Sequence, residues 1–356
     1  MNQLPLNLLP LNLLPEMPSL SKMYVNAAAM AARNRVLGSG AAKTLPRVRN
    51  EVRGVVADLA KLTAYQHLLG KPARDVMPAG FLHTLAFPVA MSVMVREDFP
   101  LPLLGMIHLR NHVEHLEPIL FTQPLTIEAW AQNLAGHRSG TLADLVVEIR
   151  ADGSPTVLWR GISTYLAKGI FLPGVDKPDP ANGGPANGGP ANGGLANGGP
   201  GNGAAGHGGS RNQASGNGSP SSNGPSGHSS PSADFSPPDP TGIWKLGVDT
   251  GRAYAAVSGD FNPIHLSVLS AKALGLRRSI AHGMYLGARV LADVGSPQPD
   301  AFAWDISFEA PVFLPATVAM HIADVQTDEG IWTSSAYMGW NPRTGRRHFT
   351  GTVTAL

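Results

Sequence analysis

The chain of 356 residues contains no cysteine, which excludes disulfides, thiolate nucleophiles and cysteine-bound metal centres and points to the cytoplasm as its compartment. It also has no run of eighteen consecutive apolar residues, so no membrane-spanning helix is expected. Charge is scarce: only 15% of residues are charged, and the formal net charge of +2 is too small to argue for a nucleic-acid partner. Apolar residues are plentiful at 43%, enough for real cores in two or three domains.

The start of the chain repeats a short apolar phrase, Leu4 to Pro10 and then Leu11 to Pro15. It lacks a basic segment and is broken by proline, so it does not read as a signal peptide. Residues 1–19 are expected to be a disordered leader, with Met17 as an alternative natural start. Further on, Lys22, Arg33, Arg35, Lys43, Arg47, Arg49, Arg53 and Lys61 face only Glu51 and Asp58. That basic excess suits either phosphates and an acidic carrier protein or a solvated arm.

Residues 173–240 are dominated by Gly, Pro, Asn and Ser and include copies of Ala-Asn-Gly-Gly beginning at Ala181, Ala186, Ala191 and Ala196. Such a segment buries too little surface to order itself and reads as a flexible linker, with a random-coil span of roughly 45 Å. It separates two domains, 20–172 and 241–356, whose patterns resemble each other. Each has a helical stretch, a proline-marked strand entry (Pro118 to Ile127, Pro311 to Val318) and two further strand-like runs. The runs are Leu142 to Ile149 and Thr156 to Ala167 in the first domain, Trp332 to Met338 and His348 to Ala355 in the second. A helix over Phe81 to Val95, with His83 near its start, parallels the helix that follows His282, and a duplication of one helix-plus-sheet unit is inferred.

The chemistry is concentrated in Ser258-Gly-Asp-Phe-Asn-Pro-Ile-His265 and in His282-Gly283-Met284. Gly259 permits a sharp turn, and Pro263 keeps Asn262 out of the helical region, so Asp260 and His265 share a bent segment on which their side chains converge. A carboxylate and an imidazole within reach of one water can move its protons. Asn262 is expected to hold that geometry, and Ser258 to form the turn. Met284, Ala288, Leu291 and Val294 recur at helical spacing, with Gly295 as the stop, which puts Gly283 in the first turn. An amide there has no intrahelical acceptor and lies at the positive end of the helix dipole, so it suits a developing enolate oxygen. His282 is read as structural. Asp260, His265 and His282 are ligand-type side chains, but their spacing matches no standard zinc pattern and no metal site is expected.

Together, Tyr254 to His265 and Ile280 to Met284 resemble the MaoC-like (R)-specific enoyl-thioester hydratases and 3-hydroxyacyl-thioester dehydratases. The resemblance implies an α+β architecture of two hot-dog units, each an antiparallel sheet wrapped around a central helix, packed as a pseudo-dimer. It implies that Asp260 and His265 handle the water and that the Gly283 amide takes the thioester oxygen. The first domain has no Asp-x-Asn-Pro-x-His loop, and Thr84 stands where the glycine would follow His83, so that domain is expected to be degenerate and to shape the acyl pocket.

The expected activity is therefore the reversible hydration of trans-2-enoyl thioesters and dehydration of (R)-3-hydroxyacyl thioesters in fatty-acid metabolism, without a cofactor. The substrate would be carried by coenzyme A or an acyl carrier protein, and two chains are expected to be able to pair as a homodimer. Arg277, Arg278 and Arg289 flank this region and suit the phosphates of such carriers. A hot-dog thioesterase and a non-catalytic acyl-binding subunit are the rival readings, both disfavoured by the paired Asp260 and His265.

Overall fold

The structure, a computed structural model, describes residues 9–37, 42–175, 235–294 and 299–356. The Ala-Asn-Gly-Gly copies and Gly295 lie outside the described residues.

Among the described residues, eleven strands form one continuous sheet. In the first half, strand β2 (Arg49–Val55) is followed by helices α2 (Leu59–Leu68) and α3 (Ala79–Met94). Four strands then follow: β3 (Met106–His115), β4 (Leu125–His137), β5 (Gly140–Ala151) and β6 (Val157–Lys168). In the second half, β7 (Gly242–Leu246) precedes α4 (Thr250–Ser258), α5 (Pro263–Leu266), α6 (Val268–Ala273) and α7 (Gly283–Asp293). Strands β8 (Phe302–Phe308), β9 (Ala316–Gln326), β10 (Trp332–Trp340) and β11 (Arg347–Ala355) complete it.

Spatial order is β2-β4-β5-β6-β3 in the first half and β8-β11-β10-β9-β7 in the second. Read outward from the seam, both halves place their second, fifth, fourth, third and first strands in turn, so the duplication inferred from sequence is present in the topology. Each half is a hot-dog unit. The halves join edge to edge where β3 pairs antiparallel with β8, His112 opposite Asp305 and His115 opposite Phe302. Across that seam Arg110 Nη2 and His112 Nδ1 reach the Asp305 carboxylate at 2.5 and 3.0 Å.

Helices α3 and α7 lie side by side on the concave face, where the missing side chain of Gly80 leaves room for Ala288. One apolar core runs through both halves, from Val52, Leu62 and Val89 to Trp304, Phe349 and Val353. Burial of such a shared core is what makes the two units a single body.

The structure corrects several expectations. Part of the leader is ordered: Leu11–Leu13 forms a short strand, β1, parallel to β2, and Leu14 N–H donates to the Glu51 carbonyl. Its backbone finds partners on an open sheet edge, which composition does not reveal. It leads into helix α1 (Leu20–Leu37). Residues 235–240, counted above with the linker, pack on the second half, with Phe235 edge-on to Trp340 and the Asp239 carbonyl bonded to His321.

The proline-marked segments begin as loops, because proline cannot donate to a ladder. Strands β4 and β9 start only at Leu125 and Ala316, and Leu120 and Phe313 make single bridges to Val76 and Ile280 instead. Of the basic residues that suited either phosphates or a solvated arm, Arg49 pairs with the buried Glu128 and Arg53 with Glu51.

His83 is not the counterpart of His282. Helix α3 begins at Ala79 with Pro78 as its N-cap, so His83 and Thr84 lie in its second turn, whereas His282 is itself the N-cap of α7. The helix-start glycine of the first half is Gly80, not a residue lost at position 84. Among the described residues no helix is long and apolar enough to cross a membrane.

Candidate active site

Helix α4 ends at Gly259, whose φ of +75° reverses the chain at little steric cost. The Asp260 N–H donates to Ser258 Oγ at 3.2 Å, and the Asn262 N–H donates to Asp260 Oδ1 at 3.2 Å. Asn262 then caps α5, its Oδ1 accepting from Ile264 N, with Pro263 at the first helical position. Ser258 and Asn262 are thus the turn and cap that hold the loop. Gly251 lets α4 approach it, since a Cβ there would lie 2.0 Å from the His265 carbonyl oxygen.

His265 is buried, and its Nδ1 lies 2.8 Å from the Ile280 carbonyl oxygen. A carbonyl only accepts, so Nδ1 carries the proton and the Nε2 of neutral His265 has a free lone pair. Burial pushes the His265 pKa down, partly opposed by Asp260 and the Ile280 carbonyl, so the ring is neutral near pH 7. His282 stacks on it with ring centroids 3.6 Å apart, and its Nε2 lies 3.0 Å from the Asp260 carbonyl oxygen. By the same logic Nε2 of His282 carries hydrogen, and its buried Nδ1 has no partner among the described residues. Burial and the adjacent His265 lower the His282 pKa to about 3. It is a spacer between the loop and α7.

Asp260 is only 19% exposed at its side chain. Burial opposes its ionisation, but His282, His265, the Tyr24 hydroxyl and the Asn262 N–H together keep its pKa below the ordinary value. The Tyr24 bond was not foreseen: Tyr24 Oη donates to Asp260 Oδ1 at 2.7 Å from α1. Ligand-type atoms of Asp260, His265 and His282 lie within 4.8 Å of one another. Sequence spacing that matched no zinc pattern therefore still brings these three side chains together.

Gly283 is the first residue of α7, so its N–H has no acceptor within the helix. The space left by its absent side chain is filled by the Phe308 ring, 2.8 to 3.1 Å from where a Cβ would stand. From the first half, His108 on β3 stacks on Tyr165 with centroids 4.6 Å apart and lies 5.4 Å from the Phe308 ring. Burial lowers the pKa of His83 to about 4 and of His108 to about 3, and both feel the charge of Asp260. Beyond His83 and Tyr165, between α3 and strands β5 and β6, is a cavity of about 10 Å³ bordered by Phe87 and Trp159.

The three arginines separate. Arg289 donates to Tyr285 Oη at 3.1 Å and lies over the Trp244 ring, so it is part of the fold rather than the site. Arg277 covers Phe313, and Arg278 is exposed beside it, both just before the Ile280 that holds His265.

The comparisons with known proteins point to one family. A family model described as a MaoC like domain matches residues 233–337. A 3-hydroxyacyl-thioester dehydratase X of Mycobacterium tuberculosis is 29% identical over 313 residues, 88% of this chain and 91% of that protein. The solved structure of HtdX from the same organism superimposes with a TM-score of 0.62 at 26% identity, covering 86% of this chain and all of that one. An (R)-specific enoyl-CoA hydratase of Aeromonas caviae is 30% identical over 95 residues, 25% of this chain and 71% of that protein. On the fold, the loop and these relatives, the chain belongs to the MaoC-like family of enoyl-thioester hydratases and 3-hydroxyacyl-thioester dehydratases.

Proposed function

We propose that the protein is a hydro-lyase that reversibly hydrates trans-2-enoyl thioesters and dehydrates (R)-3-hydroxyacyl thioesters through Asp260, His265 and the Gly283 N–H. The observation that carries the reading is the single free lone pair of neutral His265, held close to an ionised Asp260 at the start of α7. In the hydration direction Asp260 and His265 Nε2 hold one water. Its hydroxyl adds at C3 and its proton, taken up by the pair, returns to C2. Electron density that shifts onto the thioester oxygen during the addition is met by the Gly283 N–H at the positive end of α7. Dehydration runs the same steps backwards, and the chemistry uses no cofactor.

The first half contributes walls rather than acid or base. His83, His108 and Tyr165 border the reacting centre, and the small cavity beyond them marks the path of the acyl tail. Arg277 and Arg278, exposed just before Ile280, are the cations this reading assigns to a phosphate of coenzyme A or of a carrier protein's phosphopantetheine.

The test is turnover of enoyl-CoA substrates. Asp260→Asn and His265→Ala are each expected to lower kcat/KM by at least about a hundredfold, the scale of losing a positioned acid/base. Wild-type rates in both variants, with the fold intact by circular dichroism, would sink the assignment.

A further inference from the structure

The seam between the halves has a second cavity, and it occupies the place in the first half that the catalytic site occupies in the second. Tyr65 on α2 stands five residues before Gly70, and Tyr254 on α4 stands five before Gly259. Both glycines adopt the same left-handed turn, with φ of +72° and +75°. The residue after Gly259 is Asp260; the residue after Gly70 is Lys71. A helix N-terminus follows in each case, α7 at Gly283 and α3 at Ala79.

Around this position lies a cavity of about 410 Å³, bordered by Tyr65, Lys71, Arg74, the first residues of α3, His115 and Phe302. That is a size that small-molecule sites have, roughly 300 to 1,000 Å³. Two residues of its wall carry buried polar atoms with no partner among the described residues: Tyr65 Oη, in a side chain with no exposure, and His115 Nδ1, in one 5% exposed. The absence of a side chain at Gly80 is what accommodates the Tyr65 hydroxyl, which would lie 2.4 Å from a Cβ there. An unpaired buried hydroxyl costs stability, and a site retains it at no loss only when something else supplies the acceptor.

We infer that this cavity is a second, non-catalytic binding site for a fatty acyl group, as its thioester or its free carboxylate. The ligand class rests on the acyl-thioester reading of the catalytic site. The donors point to an oxygen acceptor: the Tyr65 hydroxyl and the first N–H groups of α3, which have no intrahelical acceptor. Lys71 and Arg74 at the rim suit a carboxylate or phosphate, against the single carboxylate of Asp300 beside His115. Leu69, Met77, Leu291 and Phe302 give the hydrocarbon an apolar wall. With lysine in the place of the acid/base carboxylate, the site holds an acyl group without hydrating it.

The experiment is calorimetric titration of the full chain with butanoate and with butanoyl-CoA, saturated ligands that cannot be hydrated and are short enough for the catalytic site with Trp159 in place. Two ligands per chain are expected in the wild type. Val76→Trp, which fills the cavity from an exposed rim position, is expected to leave one, with turnover of a short enoyl-CoA unchanged. Lys71→Glu is expected to weaken the second site at least about tenfold, and Tyr65→Phe to weaken it about tenfold while raising the Tm of the unliganded protein, because an orphan hydroxyl has been removed. Binding of butanoate as well as the thioester assigns the free acid to the site, and binding of the thioester alone assigns the carrier phosphates to Lys71 and Arg74. A single ligand per chain, untouched by Val76→Trp and Lys71→Glu, overturns the inference and leaves the hydratase reading standing. Loss of enoyl turnover is measured separately and bears only on the catalytic site.

Discussion

Tyr24 Oη donates a 2.7 Å hydrogen bond to Asp260 Oδ1, joining residues 236 positions apart in the chain. Burial first, and then the neighbouring carboxylate, push the Tyr24 pKa far up, so the phenol stays protonated and can only donate. Since the Asn262 N–H meets the same oxygen, Oδ2 is the oxygen left to hold water. Tyr24 is then a positioning residue, delivered to the site by α1.

Tyr24→Phe is therefore expected to lower kcat roughly ten- to a hundredfold, the scale of a hydrogen bond to a charged group at about 1.5 to 3 kcal/mol. KM should change little, since the phenol holds the carboxylate rather than the substrate. A variant that melts earlier but keeps the wild-type kcat would show that the bond is structural only.

The parts of this site differ in how far the sequence betrays them. Asp260, Asn262, Pro263 and His265 act through local turn and cap chemistry, which depends on neighbours in sequence and so can be read there. The start of α7 at Gly283 was legible for the same reason. Tyr24 was not, because its contact depends on where a distant helix lands. Nor was the register of α3: His83 is an imidazole near a helix start, yet with Pro78 as N-cap that start is Ala79, four residues earlier. The correspondence between Lys71 and Asp260 became visible only with the two left-handed glycines and the strand order in hand. Strand β3 is not legible because polar residues carry its alternation: Asn111 and His115 share the buried face with Val113, between Arg110, His112 and Glu114.

The protonation state of His265 predicts a pH profile. Burial holds its pKa below the ordinary histidine value of about 6.5, so the free base persists as pH falls through that value. For hydration, kcat/KM should stay level from pH 8 to about 6.5 and decline only below it, as the imidazole finally takes a proton. An acid limb centred above pH 6.5 would contradict the assignment of a buried neutral base.

Gly283 carries a packing constraint as well as an electrostatic one. A Cβ at this position would press on the Phe308 ring at 2.8 to 3.1 Å, tighter than real contacts allow, so the ring or the start of α7 must move. Gly283→Ala is expected to reduce kcat by up to about a hundredfold, the loss seen when one oxyanion donor is removed. Because the defect originates in Phe308, the double variant Gly283→Ala/Phe308→Leu should recover a good part of it. Equal activity of the single and double variants would place the defect in the backbone of α7 instead.

The proposed path of the acyl tail predicts that chain length is set on the far side of His83. The cavity beyond it has about 10 Å³, room for no more than a water molecule. Trp159 closes it, with its indole lying over Gly161 and only 1% exposed. A longer acyl tail can advance only if that ring gives way. Each further methylene buried there contributes about 0.8 kcal/mol, or about fourfold in kcat/KM. Trp159→Leu should therefore raise the ratio of long-chain to short-chain kcat/KM by at least about tenfold, for two or more added methylenes, while leaving the shortest substrates near their wild-type rates. Turnover across a series of enoyl-CoA lengths reads this directly, and an unchanged profile would mean that the tail leaves the site by another route.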